Sequence, residues 1–340
     1  MSLELANTAV DLRQQQLEQW LEQQLGAHLS GSSAGSDAGF RRYFRYQLNG
    51  RSLIAMDAPP DYEDCRPFVK IAGLLADAGV LVPEIIAEDV ERGFLLLSDL
   101  GADTYLDVMT GEGFKLTQAD TLFADAIDAL IIFQSSINAE NLPAYDEALL
   151  RRELDLFPEW YLRCHLGIVI DERLAKSLEQ LFNQLIEQIL LQRKVFVHRD
   201  YMPRNLMMNT RDDRGVGVLD FQDAVYGPVS YDIASLFSDA FISWPQDKIE
   251  EWLRHYWLKA LDAGIPVPRV FEQFVCDCDF MVTQRHLKVI GIFSRICHRD
   301  GKPRYLDDVD RFFNYIDIVV KRRPEMSALK EMLQLIGRGC

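Results

Sequence analysis

Positive charge is scarce in this sequence, and this scarcity limits the partners that the protein can bind. The 340 residues include 36 Lys and Arg against 52 Asp and Glu, so the formal charge at pH 7 is −16. Affinity for a nucleic-acid backbone or an anionic membrane depends on Lys and Arg. The composition therefore argues against nucleic-acid and membrane partners, but it leaves room for a small anion bound in a local pocket.

The sequence also lacks the features of membrane, secreted and zinc-binding proteins. No apolar run approaches the ~18 residues of a membrane-spanning helix. The first residues, Met1-Ser2-Leu3-Glu4, have neither the basic segment nor the apolar core of a secretory signal. The six cysteines are scattered and form no Cys-x-x-Cys pair, which is typical of reduced thiols. We therefore expect a cytoplasmic protein, and the lack of coiled-coil heptads or long apolar edge strands predicts a monomer.

The first hundred residues have the pattern of a small antiparallel sheet with a helix packed on it. Asn49-Gly50 is a strong signal for a two-residue hairpin between two β-like runs. The predicted elements are a helix at 10–29, a Gly/Ser-rich loop at 30–39, strands at 40–48 and 52–56, a helix at 63–79, and strands at 80–82 and 94–97. The boundary of a first lobe is predicted after residue 100.

Helical patterns dominate the rest of the chain, which we predict to be a larger lobe at 101–340. Hydrophobic residues make up 48% and charged residues 26%, as in ordinary globular proteins, and the length predicts two lobes. Long helices are predicted at 117–137, 146–164 and 174–192. Short β-like runs follow at 195–197, 206–208 and 216–219, and helices return from residue 230.

Three oxygen-bearing side chains follow these short β-like runs at a regular spacing. The run at 195–197 leads into His198-Arg199-Asp200, and Asn205 comes five residues after Asp200. The run at 216–219 ends at Asp220. Carboxylate and carboxamide oxygens suit Mg²⁺, and a nearby carboxylate can accept a hydroxyl proton. These residue types in this order indicate phosphoryl transfer, which needs positioning, a metal and a base.

The pattern resembles the protein-kinase-like superfamily, whose signature is His-Arg-Asp-x-x-x-x-Asn followed by Asp-Phe-Gly. Here Gln222 follows Asp220-Phe221 in place of Gly, and no Ala-Pro-Glu segment comes later. These departures are similar to the aminoglycoside phosphotransferase and choline kinase branch, which phosphorylates small-molecule hydroxyls. Tyr231-Asp232-Ile233-Ala234 resembles the structural Asp that follows in that branch.

Further segments resemble one subfamily, the bacterial anomeric sugar kinases of cell-wall recycling, which act on N-acetylmuramate and N-acetylglucosamine. The segments are 40–45, 97–101, 197–205, 222–228 and 284–288. The resemblance implies a two-lobed protein-kinase-like α+β fold, with a small antiparallel-sheet N-lobe, a larger mainly helical C-lobe and the active site between them. It also implies ATP and Mg²⁺ as cofactors and an amino sugar, phosphorylated at its anomeric hydroxyl in peptidoglycan recycling, as the acceptor.

The resemblance implies roles for individual residues. Asp200 would be the catalytic Asp, and Asn205 and Asp220 would bind the metal, with Asn205 also contacting the nucleotide. The loop at 30–39, including Ser36, would cover the ATP phosphates. The hinge at 97–100, including Leu97 and Asp99, would bind adenine through its backbone.

One departure concerns the phosphate-binding Lys of the third strand, whose place Met56 occupies. Lys70, on the helix predicted at 63–79, is the only Lys among the first hundred residues. The phosphate charge would then be met by Arg41, Arg42 or Lys70. We predict Arg42, because a guanidinium presents a bidentate fork to phosphate oxygens.

Other interpretations stay open from the sequence. In one interpretation the acceptor is another small alcohol, such as an aminoglycoside or choline. In the other, the protein is a nucleotide-binding pseudokinase that regulates a partner.

The second His-Arg-Asp, at 298–300, lacks the later Asn and Asp, so we predict that it is not catalytic. The turn at 284–288 is expected to face the cleft or solvent. Tyr226 and Asp239 are candidates for the acceptor pocket, and a structural role is predicted for Asp232.

Overall fold

A computed structural model describes residues 2–27, 31–36, 40–209 and 215–338. The chain forms two compact units, one made of Met1–Ala102 with Met207–Asp223 and one made of Asp103–Leu206 with Ala224–Cys340. Part of the predicted Gly/Ser loop, namely residue 30 and residues 37–39, lies outside the described residues. Within the described ranges, no helix is both long enough and apolar enough to cross a membrane. The lobe boundary placed after residue 100 stays a prediction.

The first unit is built on a five-stranded antiparallel sheet with two helices. In chain order its elements are α1 (Ser2–Leu25), β1 (Ser32–Ser36), β2 (Arg42–Leu48), β3 (Arg51–Asp57), α2 (Arg66–Asp77), β4 (Ile85–Asp89) and β5 (Phe94–Ser98). The strand order is β1-β2-β3-β5-β4. Asn49 and Gly50 join β2 to β3 with φ values of 50° and 76°. Both lie in the left-handed region that a two-residue type I′ turn requires, so the predicted hairpin is confirmed.

The core of this unit lies between α1 and one face of the sheet. Alternate residues of β2, β3 and β5 point to that face, as the twofold period of a strand requires. The buried cluster comprises Leu17, Trp20, Leu21, Phe44, Tyr46, Leu53, Ala55, Phe94 and Leu96. Burial of these side chains stabilises the sheet, and the predicted hinge at 97–100 begins within its strand β5.

Two strand predictions in this unit were wrong. Residues 80–82 do not form a strand, and Leu81 makes only an isolated bridge to Gly217. The strand is instead β4, in which half-buried and exposed side chains alternate. The segment before the hairpin was predicted as a loop, yet Ser32–Ser36 pairs with β2. Serine and glycine have low β-propensity, so backbone pairing alone produces β1.

The second unit is mainly helical, with a short ladder that carries the catalytic motif. Its helices are α3 (Tyr105–Met109), α4 (Leu116–Ser136), α5 (Glu147–Leu154), a π-helix (Phe157–His165), α6 (Glu172–Leu191), α7 (Tyr231–Phe237), α8 (Gln246–Asp262), α9 (Phe271–Asp300), α10 (Val309–Arg322) and α11 (Ser327–Leu335). Its strands are β6 (Lys194–Val197) and β9 (Val225–Pro228). Between them in the chain come β7 (Leu206–Met207) and β8 (Gly217–Val218), and the segment Met207–Asp223 belongs to the first unit. Strand β6 pairs with β9, and β7 pairs with β8.

The long helix α9 packs closely against the backbone just before the π-helix, at Leu156. A Cβ atom added to Gly291 would lie 2.5 Å from the backbone carbonyl carbon of Leu156, closer than such atoms come in proteins. The helix predicted over 146–164 is in fact interrupted here, because α5 ends at Leu154 and the π-helix begins at Phe157 with Pro158 in its first turn. The crossing therefore depends on the missing side chain of Gly291.

We expect Gly291→Ala to lower the free energy of unfolding by about 1–3 kcal/mol, because overpacking at a backbone contact forces the two segments apart. Gly73→Ala is the matched control, since Gly73 lies in α2 with no atom within 4 Å of the added Cβ. It should raise stability by up to about 1 kcal/mol through helix propensity. Urea denaturation of both variants measures the difference. If Gly291→Ala and Gly73→Ala changed the stability equally, the close approach of α9 to Leu156 would not constrain the residue at position 291.

Candidate active site

The backbone of the predicted catalytic loop is held by one buried carboxylate. Strand β6 ends at Val197, and Arg199, two residues later, has a left-handed φ of 76°. The Asp232 carboxylate accepts hydrogen bonds from the backbone N–H groups of His198 (2.7 Å) and Arg199 (3.0 Å). Burial raises the pKa of Asp232 to about 7, although these hydrogen bonds and the charge of Arg285 act in the opposite direction. The structural role predicted for Asp232 is confirmed.

The loop is closed by hydrogen bonds between its own residues. The backbone N–H of Asp200 donates to Nδ1 of His198 (3.3 Å), and Nδ2 of Asn205 donates to the carbonyl oxygen of Asp200 (2.8 Å). The Tyr201 hydroxyl, which is fully buried, donates to the carbonyl oxygen of Ala126 in α4 (2.6 Å). Asp200 and Asn205 therefore belong to one hydrogen-bonded turn, in which the side-chain carboxamide of Asn205 has a fixed orientation.

Two cations of α9, Arg285 and Lys288, act electrostatically on the carboxylate of Asp200. Arg285 Nη1 donates to the carbonyl oxygen of Arg199 (2.8 Å), directly before Asp200. Burial alone would raise the pKa of Asp200, but the charges of Arg285, Lys288 and Arg199 hold it below its ordinary value. The carboxylate is therefore ionised at neutral pH and can accept a proton or orient a hydroxyl group.

The same cations are balanced by Glu153, a buried residue of α5. Its carboxylate accepts hydrogen bonds from Arg199 Nη2 (2.6 Å), the Tyr145 hydroxyl (2.5 Å) and Gln284 Nε2 (3.1 Å), and it lies 2.8 Å from Lys288 Nζ. Burial opposes ionisation, yet Lys288 and Arg199 lower the pKa of Glu153 to about 2. Glu153 thus remains charged inside the protein.

The burial of this charge network was not predicted from the sequence. We expected the turn at 284–288 to face the cleft or solvent, but its side chains are buried, with exposed fractions of 0 to 9%. The prediction was wrong because charged residues on a helix usually mark its solvent face. Their spacing of three and four residues was the available signal, since it places Gln284, Arg285 and Lys288 on neighbouring helical positions.

Asp220 lies in the first unit, two residues after β8. The backbone N–H of Val218 donates to the carbonyl oxygen of Leu81 (2.8 Å), and the Asp220 backbone has a left-handed φ of 60°. The next side chain, Phe221, is fully buried and packs on Phe68 of α2 with ring centroids 4.7 Å apart. Phe221 is thus a core residue.

The residue that replaces the kinase Gly has a direct contact with the predicted metal ligand. Gln222 Nε2 donates to Oδ1 of Asp220 (2.8 Å). A glycine has no such donor, so the substitution gives the carboxylate a fixed partner. This contact orients one oxygen of Asp220.

The predicted hinge residues lie in and after β5. Leu97 is 2% exposed and pairs with Ile54 of β3 and Ile85 of β4.

Asp99 is buried and accepts hydrogen bonds from Arg45 Nε (2.7 Å), from the Ser52 hydroxyl (2.5 Å) and from the backbone N–H of Gly101 (2.9 Å). Burial opposes ionisation, but these three donors lower the pKa of Asp99. The carboxylate therefore holds the hinge segment to β2 and β3.

The two arginines at the start of β2 have different surroundings. Arg42 donates through Nε to Oδ2 of Asp57 (3.1 Å), whose other oxygen accepts from Arg13 Nε (2.8 Å). Asp57 is fully buried. Arg41 instead lies near Asp220, with Nη2 3.7 Å from Oδ1. Ser36 ends β1, opposite Arg42 in the strand register.

The donor set is compatible with Mg²⁺. Within the described residues, no group of three or more His, Cys, Asp and Glu side chains is placed to hold a metal ion. Asn205 and Asp220 provide one carboxamide and one carboxylate, each oriented by a hydrogen bond to its own neighbours. Mg²⁺ binds through few protein oxygens and shares its shell with water and phosphate. These residues therefore fit the ion chemically.

We expect Lys288→Met to lower the free energy of unfolding by about 3–5 kcal/mol at pH 7, because it leaves the buried Glu153 charge undercompensated. The depressed pKa of Glu153 stabilises the fold above the ordinary carboxyl pKa, and this contribution is lost as the pH falls towards about 2. The difference between wild type and variant should therefore shrink below pH 5. Denaturation curves across pH 3–7 measure it.

The exposed Lys330 of α11 provides the control. Lys330→Met should change stability by less than about 0.5 kcal/mol at every pH. A loss for Lys288→Met that stays constant down to pH 3 would show that packing, not charge, explains the effect.

Comparison with solved structures shows the fold. The ADP-bound aminoglycoside phosphotransferase APH(2'')-Ib superposes with a TM-score of 0.60 at 14% identity, covering 88% of this chain and 97% of that protein. The choline kinase LicA of Streptococcus pneumoniae gives a TM-score of 0.61 at 15% identity, covering 90% and 99%. The predicted protein-kinase-like α+β fold is confirmed.

Comparison of sequences shows the family. A protein of Pseudomonas aeruginosa named N-acetylmuramate/N-acetylglucosamine kinase is 57% identical over 300 residues, covering 88% of this chain and 86% of that protein. A protein of Neisseria meningitidis with the same name is 42% identical over 301 residues, covering 88% of each. A model of the phosphotransferase enzyme family matches residues 30–271. These similarities show that the chain belongs to the phosphotransferase enzyme family.

Proposed function

We propose that the protein transfers the γ-phosphoryl group of ATP to the anomeric hydroxyl of N-acetylmuramate and N-acetylglucosamine. The observation that carries this proposal is the 57% identity, over 88% of the chain, to a kinase named for those two sugars. The reaction would belong to peptidoglycan recycling in the cytoplasm. A nucleotide is the natural donor, because the aminoglycoside phosphotransferase of the same fold binds ADP.

Asp200 is the proposed catalytic residue. Its carboxylate would orient the anomeric hydroxyl and accept its proton as the oxygen attacks phosphorus. The cations of α9 lower the pKa of Asp200, which makes it a weak base. An anomeric hydroxyl is more acidic than an ordinary alcohol, so a weak base is adequate for this acceptor. Arg199, Arg285 and Lys288 would act through Asp200 as positioning residues.

Asn205 and Asp220 are the proposed ligands of Mg²⁺. When bound, the ion would neutralise phosphate charge, as metal ions do in phosphoryl-transfer enzymes. The chain's own contribution is to hold the two side chains in place. The Asp200 carbonyl accepts a hydrogen bond from Asn205, and Gln222 donates one to Asp220.

The nucleotide contacts proposed for the first unit remain those of the family resemblance. The backbone around Leu97 and Asp99 would bind adenine, and the segment that contains Ser36 would cover the phosphates. In this arrangement the side chains of Leu97 and Asp99 have structural tasks, since one is buried in the sheet and the other binds Arg45.

We expect Asp200→Asn to lower kcat by about 10²- to 10⁴-fold, because the proton acceptor is lost while the shape of the loop is kept. ATP affinity should change little, and isothermal titration checks it separately from turnover. Asp300→Asn is the matched control, since Asp300 ends the second His-Arg-Asp and its carboxylate binds the exposed Arg299. Near-normal turnover of Asp200→Asn would remove Asp200 from its role.

The acceptor is tested by ADP release from Mg-ATP with four separate compounds: N-acetylmuramate, N-acetylglucosamine, choline and an aminoglycoside. We expect release with the two sugars alone, together with loss of the sugar's reducing end. Release only with choline or the aminoglycoside would keep the mechanism and overturn the substrate. Nucleotide binding without release for any compound would instead favour a regulatory nucleotide-binding role.

A further inference from the structure

The first unit has no lysine at the strand position where kinase-like enzymes hold the phosphates. Met56 occupies that place in β3, between Tyr43 and Leu95 in the strand register, and it is fully buried. In kinases the missing Lys pairs the α- and β-phosphates and also binds a Glu of the neighbouring helix. If the proposed function holds, another cation must meet this charge.

We propose that Arg41 is the phosphate-contacting residue and takes the place of the missing lysine. Its guanidinium lies between two carboxylates of the same unit. Nη2 is 3.7 Å from Oδ1 of Asp220, and Nε is 3.9 Å from Oε2 of Glu63. The side chain is 13% exposed, so these charges interact with little screening by solvent.

The two carboxylates lie at different places in the unit. Glu63 precedes α2, the helix that follows β3, and Asp220, the predicted metal ligand, lies two residues after β8. An arginine directly before β2 is thus held beside the predicted metal-binding carboxylate. A guanidinium also has a longer reach and a planar fork that suits phosphate oxygens.

The turn that carries Glu63 is fixed against the residue before Arg41. The backbone N–H of Phe40 donates to Oε1 of Glu63 (3.2 Å), and the Phe40 ring stacks on Tyr62 with centroids 4.4 Å apart. The N–H groups of Tyr62 and Glu63 both donate to the carbonyl oxygen of Pro59 (2.9 Å each). These contacts fix the position of the turn that carries Glu63 relative to the backbone next to Arg41.

Arg42 has a different task, although the sequence favoured it as the phosphate-binding residue. Its guanidinium binds Asp57, which is fully buried and also binds Arg13 of α1. Asp57 therefore joins β2 and β3 to α1 through two arginines. Withdrawing Arg42 towards a phosphate would leave a buried carboxylate with one partner fewer, which is costly.

The test measures nucleotide affinity directly, without an acceptor. Isothermal titration with Mg-ATP, Mg-ADP and adenosine is carried out on wild type, Arg41→Met, Arg41→Lys and Arg42→Met. We expect Arg41→Met to weaken ATP and ADP binding by about 10- to 100-fold, the range for a lost hydrogen bond to a charged group. Adenosine affinity should be unchanged, and Arg41→Lys should recover part of the loss.

Arg42→Met is the matched control at the adjacent position. It should lower the melting temperature but keep the ratio of ATP to adenosine affinity. The inference is overturned if Arg41→Met keeps normal ATP affinity, or if adenosine affinity falls as much as ATP affinity. It is also overturned if Arg42→Met alone loses the phosphate contribution.

The acceptor does not enter this experiment, so its result is independent of the sugar. A protein that binds ATP through Arg41 but phosphorylates another alcohol would support the inference and overturn the proposed substrate. A wild-type protein that binds adenosine and ATP equally well would overturn the proposed phosphate site and this inference together.

Discussion

The charge balance around Glu153 is the constraint on which the helical unit depends. Three cations, Arg199, Arg285 and Lys288, act on the buried Asp200 carboxylate, and isolated charges are costly in the interior. Glu153 binds two of them directly, while Arg285 binds the loop backbone at Arg199. The cations also keep Asp200 ionised. The same network therefore stabilises the fold and sets the protonation state of the proposed base.

Two departures from the kinase pattern lie in the first unit, and one of them contacts the Asp220 carboxylate. Met56 removes a cation from β3, and Gln222 adds an amide donor next to Asp220. Arg41 Nη2 lies 3.7 Å from Oδ1 of Asp220, the oxygen that Gln222 also contacts. These changes offset one another, because Asp220 keeps a positive neighbour and gains a neutral one. The carboxylate proposed to bind the metal is thus kept, while the residues around it differ from the kinase pattern.

Local sequence signals predicted the parts of the fold that depend on local physics. The Asn49-Gly50 turn was predictable because few residue pairs adopt positive φ twice in succession. The motif of Asp200, Asn205 and Asp220 was recognisable by spacing. Strand β1 was missed because its Ser- and Gly-rich sequence is not typical of a strand, and it is its pairing with β2 that makes it one. The burial of Lys288 was missed because its partner, Glu153, lies far away in the chain.

The close approach of Gly291 to Leu156 links packing to catalysis in a way that limits how this sequence can diverge. Leu156 follows the helix that carries Glu153, and Gly291 lies one turn beyond Lys288 on α9. The absent side chain therefore sets the separation of two segments whose charges must meet. A larger residue at position 291 would push the two segments apart, so the charged residues on them would have to change as well. Substitutions at this crossing are therefore expected to occur together.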